Sequence, residues 1–128
     1  MQTGSISYVP VHFLYKSIDP DELTALYAAS DVCLVASTRD GMNLVCYEYI
    51  ACHYDPAVRA SEEIIPAGSL VLSRFAGAAG YLRNGAFIVN PWDGNCCADA
   101  LARALEMDVE EASSRMGSLG KQLERQTR

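Results

Sequence analysis

Four short runs of apolar and β-forming residues punctuate the chain: Val11–Tyr15, Val32–Ala36, Leu70–Leu72 and Phe87–Val89. They are continuous rather than alternating, the pattern of strands covered on both faces. Stretches with helical signals lie between them. Asp19 offers an N-cap with Pro20 at the first helical position, and Leu23, Leu26 and Tyr27 follow at helical spacing up to Ser30. A second helix is predicted from about Leu44 to Cys52, and a third from about Asn95 to Met107 with Ala98, Leu101 and Leu105 on one face. A last helix covers Val109 to Gln126, with acids early (Glu110, Glu111) and bases late (Lys121, Arg125), as the helix dipole favours. Residues 53–68, with two prolines and no clear period, read as a loop. Strand–helix alternation of this kind predicts an α/β fold: a Rossmann-like parallel sheet with helices on both faces. In such sheets ligands bind at the carboxyl ends of the strands, here the turns after Ala36 and after Ser73.

Half of the 128 residues are hydrophobic and the net charge is −6, which fits one soluble globular domain over 1–128. An acidic chain lacks the clustered Lys and Arg of a nucleic-acid surface. No run approaches the roughly 18–20 apolar residues that span a bilayer. The first residues, Met1-Gln2-Thr3-Gly4-Ser5, carry no secretory pattern, and the five cysteines form an odd set without a CxxC pair. Reduced thiols in a cytoplasmic protein are the expectation.

The turn after Val32–Ala36 carries the chemistry. Asp40-Gly41-Met42-Asn43-Leu44-Val45 opens the second predicted helix, so a strand passes through glycine into a helix N-terminus. Unpaired amides and a positive dipole end meet there and suit a phosphate without any cationic side chain. Asp40 and Glu48 can accept hydrogen bonds from hydroxyls, and Glu48, one turn beyond Leu44, can face the same ligand. Phosphate beside hydroxyls describes a nucleotide-sugar.

Several blocks then fall in register. Ser30-Asp31-Val32, Ser37 to Val45, Glu48-Tyr49, Phe75 to Ala79, Gly85-Ala86 and Val89-Asn90-Pro91-Trp92-Asp93 resemble the trehalose-6-phosphate synthase family, glycosyltransferase family 20, most strongly over residues 10–107. That family comprises retaining glycosyltransferases with two Rossmann-like domains facing a cleft, the GT-B fold. The resemblance implies a UDP-glucose site in part of the C-terminal donor-binding domain. Asp40, a candidate catalytic residue, and the amides of Gly41, Met42 and Asn43 would hold the glucose hydroxyls. The amides of Leu44 and Val45 would meet the diphosphate, Glu48 the ribose, and the main chain around Ile18 the uracil ring. No metal or other cofactor is implied, and the acceptor would be glucose 6-phosphate, bound through an N-terminal domain. Within the same superfamily a glucosylglycerol-phosphate synthase, or a non-catalytic subunit of a trehalose-synthase complex, shares these blocks.

The chain also departs from the family. The first ten residues carry no counterpart of the family's opening block, whose Arg and Lys clamp the diphosphate, and Arg74 stands where Glu or Gln is usual. The segment from Asp55 to Ala67 is longer than the usual connection. This length of chain is therefore expected to be inactive alone, and to self-associate or be marginally stable. Phe75 to Gly80 fits either tight helix–sheet packing or a second wall of the cleft. His12 and His53 read as ordinary residues at a strand start and a helix end. Cys52-His53 lacks metal partners, Cys96-Cys97 falls on an early helical turn, and Trp92 reads as a packing aromatic. Tyr47 and Tyr49 flank Glu48 and should point into packing.

Overall fold

The computed structural model describes residues 11, 19–38, 44–54 and 68–126. Along them run α1 (Pro20–Ala29), β1 (Val32–Val35), α2 (Leu44–Tyr54), β2 (Ser69–Ser73), a single 3-10 turn (Gly77–Gly80), β3 (Phe87–Val89), α3 (Gly94–Glu106) and α4 (Val109–Gln126). The predicted strand at Val11–Tyr15 falls, after Val11, outside the described residues, as does most of the predicted loop. That loop starts later than expected, because α2 continues through His53 to Tyr54.

The three strands form a parallel sheet in the order β1-β2-β3, with Cys33 opposite Leu70 and Leu72 opposite Ile88. All five residues of β2 are buried, which is why its sequence shows no alternation. Leu70 and Leu72 point into one core with Cys46, Tyr49 and Ile50 of α2 and Met116 and Leu119 of α4. Val71, Phe87 and Val89 point to the other face, against Ala100 and Ala104 of α3. Helices therefore cover both faces, as the apolar runs require. Above Phe87, the guanidinium groups of Arg103 and Arg115 lie 5.3 and 4.2 Å from the ring centroid. Arg115 is held in turn by Glu111 at 3.0 Å.

The buried stripe of α3 differs from the expected one. Ala98 and Leu105 are exposed, while Ala100 and Ala104 are buried and Cys97 and Leu101 pack beside them. Both sets of positions have helical spacing. The alanine set is preferred because methyl groups let the helix lie close to Phe87 and Val89, which supply the bulk from the sheet side. The N-termini are capped by aspartates: Cys96 N–H donates to Asp93 Oδ1 at 3.1 Å, and Glu111 N–H to Asp108 Oδ1 at 2.8 Å. Asp19 occupies the N-cap of α1 but makes no side-chain capping bond; Pro20 alone marks that start.

None of the five cysteines is in a disulfide. Burial pushes the Cys33 thiol up to about 11 and the Cys46 thiol up to about 12, so both behave as small apolar side chains. Two glycines of α4 set up a direct comparison. A Cβ on Gly117 would meet nothing within 4 Å, whereas one on Gly120 would overlap the Tyr54 ring where α4 crosses α2. Gly117→Ala should therefore stabilise the chain by about 0.5–1 kcal/mol through helix propensity. Gly120→Ala should destabilise it by about 1–3 kcal/mol through overpacking. Thermal melts of the two variants, three residues apart on one helix, should move in opposite directions.

Candidate functional site

Parallel pairing brings the carboxyl ends of β1, β2 and β3 to one edge of the sheet, and each runs directly into a turn. β1 leaves through Ala36 and Ser37 toward α2, β2 through Arg74 and Phe75 into the 3-10 turn, and β3 through Asn90 and Pro91 to the Asp93 cap of α3. Hydrogen bonds tie these exits together. The Ser73 hydroxyl donates to the Ser37 carbonyl at 2.5 Å and accepts from the Phe75 N–H at 3.1 Å. The Arg74 N–H donates to the Val89 carbonyl at 2.9 Å.

Of the predicted site residues, Ile18, Asp40, Gly41, Met42 and Asn43 lie outside the described residues. Leu44, Val45 and Glu48 are placed on the first turns of α2, all three exposed. The first four amides of a helix have no partner within it, and the dipole concentrates positive potential there. Leu44 and Val45 are the first two residues of α2. Glu48 follows one turn on and lines a groove of about 420 Å³ between α1 and α2, with Leu23, Thr24, Tyr27 and Ala51. The Tyr27 hydroxyl reaches Glu48 Oε2 at 3.4 Å. Burial, and then the Glu48 carboxylate, push the Tyr27 phenol up to about 12, which keeps it a donor to that carboxylate.

Beneath this surface, α2 is locked to α1 by groups the sequence does not announce. The Tyr49 hydroxyl donates to the Ser30 carbonyl at 3.0 Å, and His53 Nε2 lies 2.6 Å from the Tyr27 carbonyl. The Ser30 carbonyl, and the Tyr27 carbonyl that also accepts from the Ser30 N–H at 3.2 Å, are thus engaged from α2. Burial raises the Tyr49 phenol above its usual range, so it remains a donor. His53 stands in the last turn of α2, at a helix end as read from the sequence, but is 1% exposed and packs on the Tyr49 ring at 4.5 Å between centroids. Tyr49 fills the core as expected, and Tyr47 packs against it.

Two further readings are revised or resolved. Trp92 is 73% exposed, not a packing aromatic; its backbone N–H donates to Asn90 Oδ1 in the tight turn that follows β3. Ala76, Ala78 and Ala79 are buried in the core, while Phe75 is 37% exposed and Arg74 stacks over its ring at 4.9 Å. The alanines answer to packing and the Arg74–Phe75 pair faces outward at the strand ends. Among the described residues no group of three or more His, Cys, Asp or Glu is gathered as metal ligands would be.

A family model described as glycosyltransferase family 20 matches residues 1–128. The chain belongs to glycosyltransferase family 20. Among curated relatives, it is 48% identical over 124 residues to the α,α-trehalose-phosphate synthase (UDP-forming) of Pichia angusta, covering 97% of this chain and 24% of that protein. It is 53% identical over 111 residues to the 56 kDa subunit of the corresponding Saccharomyces cerevisiae synthase, covering 86% of this chain and 20% of that subunit. Among solved structures, the E. coli trehalose-6-phosphate structure bound with UDP-2-fluoro glucose superposes with a TM-score of 0.80 at 41% identity. That match covers 95% of this chain and 25% of the other. A Burkholderia xenovorans α,α-trehalose-phosphate synthase in complex with glucose-6-phosphate gives 0.78 at 39% identity, over 95% of this chain and 24% of that one. The chain thus spans about a quarter of the length of these relatives, and its fold matches the corresponding part of the solved structures.

Proposed function

We propose that this chain is the UDP-glucose-binding portion of an α,α-trehalose-phosphate synthase, which transfers glucose from UDP-glucose to glucose 6-phosphate with retention. The observation that carries the reading is the superposition, at 41% identity, on a protein bound with UDP-2-fluoro glucose. The geometry supports it: α2 begins at Leu44 and Val45, both exposed residues, just past the β1 exit in sequence, with Glu48 one turn beyond.

In this reading the α2 N-terminus meets the diphosphate. As the glycosidic bond breaks, negative charge grows on the departing phosphate oxygens, and fixed amide dipoles stabilise it without reorganising. No metal is needed for that step. Asp40 and the amides of Gly41, Met42 and Asn43 take the glucose hydroxyls, Glu48 takes the ribose hydroxyls, and the main chain near Ile18 borders the uracil. Glucose 6-phosphate binds through other parts of the protein. The Saccharomyces cerevisiae relative is named as a subunit, which supports assembly with further copies or partners. A cytoplasmic location accords with five cysteines outside any disulfide, and among the described residues no helix is long and apolar enough to cross a membrane.

Calorimetric titration of the chain with UDP and UDP-glucose tests the proposal. Saturable one-to-one binding of both, with competition between them, is expected. Absence of heat in a sample shown to be folded by circular dichroism would mean that this portion is not a donor module.

A further inference from the structure

We infer that Ser73 is a positioning residue of the donor site, its buried hydroxyl setting the separation between the exit of β1 at Ser37 and the exit of β2. The inference rests on the donor-site reading above for its functional consequence, but its geometry stands alone. Ser73 is the last residue of β2 and is 0% exposed. One hydroxyl serves both walls: it donates to the carbonyl of Ser37, two residues beyond β1, and accepts from the amide of Phe75, two residues beyond itself. The backbone on either side is fixed independently. Val35 is paired with Leu72, Ser73 with Val89, and the Arg74 N–H is spent on the Val89 carbonyl.

The hydroxyl is thus the cross-link at the point where sheet pairing ends and the turns begin. From Ser37 the chain has six residues, 38–43, in which to reach the first turn of α2. A displaced Ser37 carbonyl would be carried into that short span, and so into the alignment of the Leu44 and Val45 amides with a diphosphate. On the other side, Arg74 and Phe75 are exposed while Ser73 between them and the sheet is sealed. Removing the hydroxyl leaves the Phe75 N–H without the acceptor it has here, a penalty borne by a part-buried group.

Ser69, at the opposite end of the same strand, is also buried and provides the control, since loss of its hydroxyl perturbs β2 away from the turns. Hydrogen–deuterium exchange of the ligand-free chain and UDP titration should be run on Ser73→Ala, Ser73→Thr and Ser69→Ala. Ser73→Ala should speed exchange in peptides covering 36–47 and 74–77 by about tenfold and weaken UDP by a similar factor, the scale of one lost buried hydrogen bond. Ser73→Thr, which keeps the hydroxyl, should restore both, and Ser69→Ala should leave both within about twofold of the parent. If Ser73→Ala does not fold, Ser73→Cys, of similar volume with a weak hydrogen-bonding thiol, takes its place. Unchanged exchange at the two turns, or equal loosening by Ser69→Ala, would overturn the inference. Should the parent itself fail to bind UDP while Ser73→Ala still loosens both turns, the donor reading falls and the cross-link stands.

Discussion

Gly68→Ala is expected to lower the melting temperature of the chain by roughly 10–20 °C, the equivalent of about 3–4 kcal/mol in a domain of this size. Two costs combine at this residue. Its φ of 77° lies in the left-handed region, where a residue with a Cβ loses about 1–2 kcal/mol. The added Cβ would also stand 2.7 Å from the Tyr49 hydroxyl oxygen and 2.8 Å from His53 Nδ1. Neither group has room to retreat, since Tyr49 is 0% and His53 1% exposed. Each is also held by a carbonyl near the end of α1, the Tyr49 hydroxyl by Ser30 and His53 Nε2 by Tyr27. Overpacking of that kind costs about 1–3 kcal/mol. Gly94→Ala, where a Cβ meets nothing within 4 Å, is the matched control and should shift the melt by no more than a degree or two. A Gly68→Ala melt indistinguishable from the parent would show that α1 and α2 are not locked as described.

Glu48→Ala should reduce affinity for UDP-glucose by about 100-fold or more while leaving the melting temperature nearly unchanged. A carboxylate accepting from two ribose hydroxyls contributes charge-assisted hydrogen bonds of about 1.5–3 kcal/mol each, and 1.4 kcal/mol corresponds to a factor of ten. Glu48 is exposed and its described contact with the fold is the long one to Tyr27, so little stability depends on it. The separation of binding from folding makes the variant informative. Tyr27→Phe, which removes only the 3.4 Å contact, should cost no more than a few-fold in affinity by loosening the carboxylate's orientation. Asp40→Ala should abolish the preference for UDP-glucose over UDP, because its proposed partners are glucose hydroxyls that UDP lacks. Equal affinity of Glu48→Ala and the parent, measured by calorimetry, would remove Glu48 from the site.

These predictions draw on unequal kinds of legibility. The parallel sheet and its covered faces follow from local signals: continuous apolar runs and a proline at a helix start. Glu48 was legible for the same reason, as helical periodicity alone sets it one turn beyond Leu44. The boundaries of α4, Val109–Gln126, were equally plain, with a charge gradient matching its dipole.

Other features answer to neighbours distant in sequence. Which side of α3 is buried depended on the volume of Phe87 and Val89 across the interface, because Ala98-Leu101-Leu105 and Ala100-Ala104 satisfy the helical period alike. Trp92 looks like core material by composition, yet it lies in solvent in the turn that follows β3. His53 and Tyr49 became a lock only when β2 placed Gly68 against them and α1 offered its terminal carbonyls. Ser73 bonds to Ser37 across 36 positions, a contact that exists only because β1 and β2 pair in parallel register. The sequence by itself determined the α/β class and the family, since periodicity and short motifs encode these within a few residues. Only the tertiary structure decided which polar groups tie the strand exits together, because a buried hydrogen bond takes its partner from whatever the fold brings within reach.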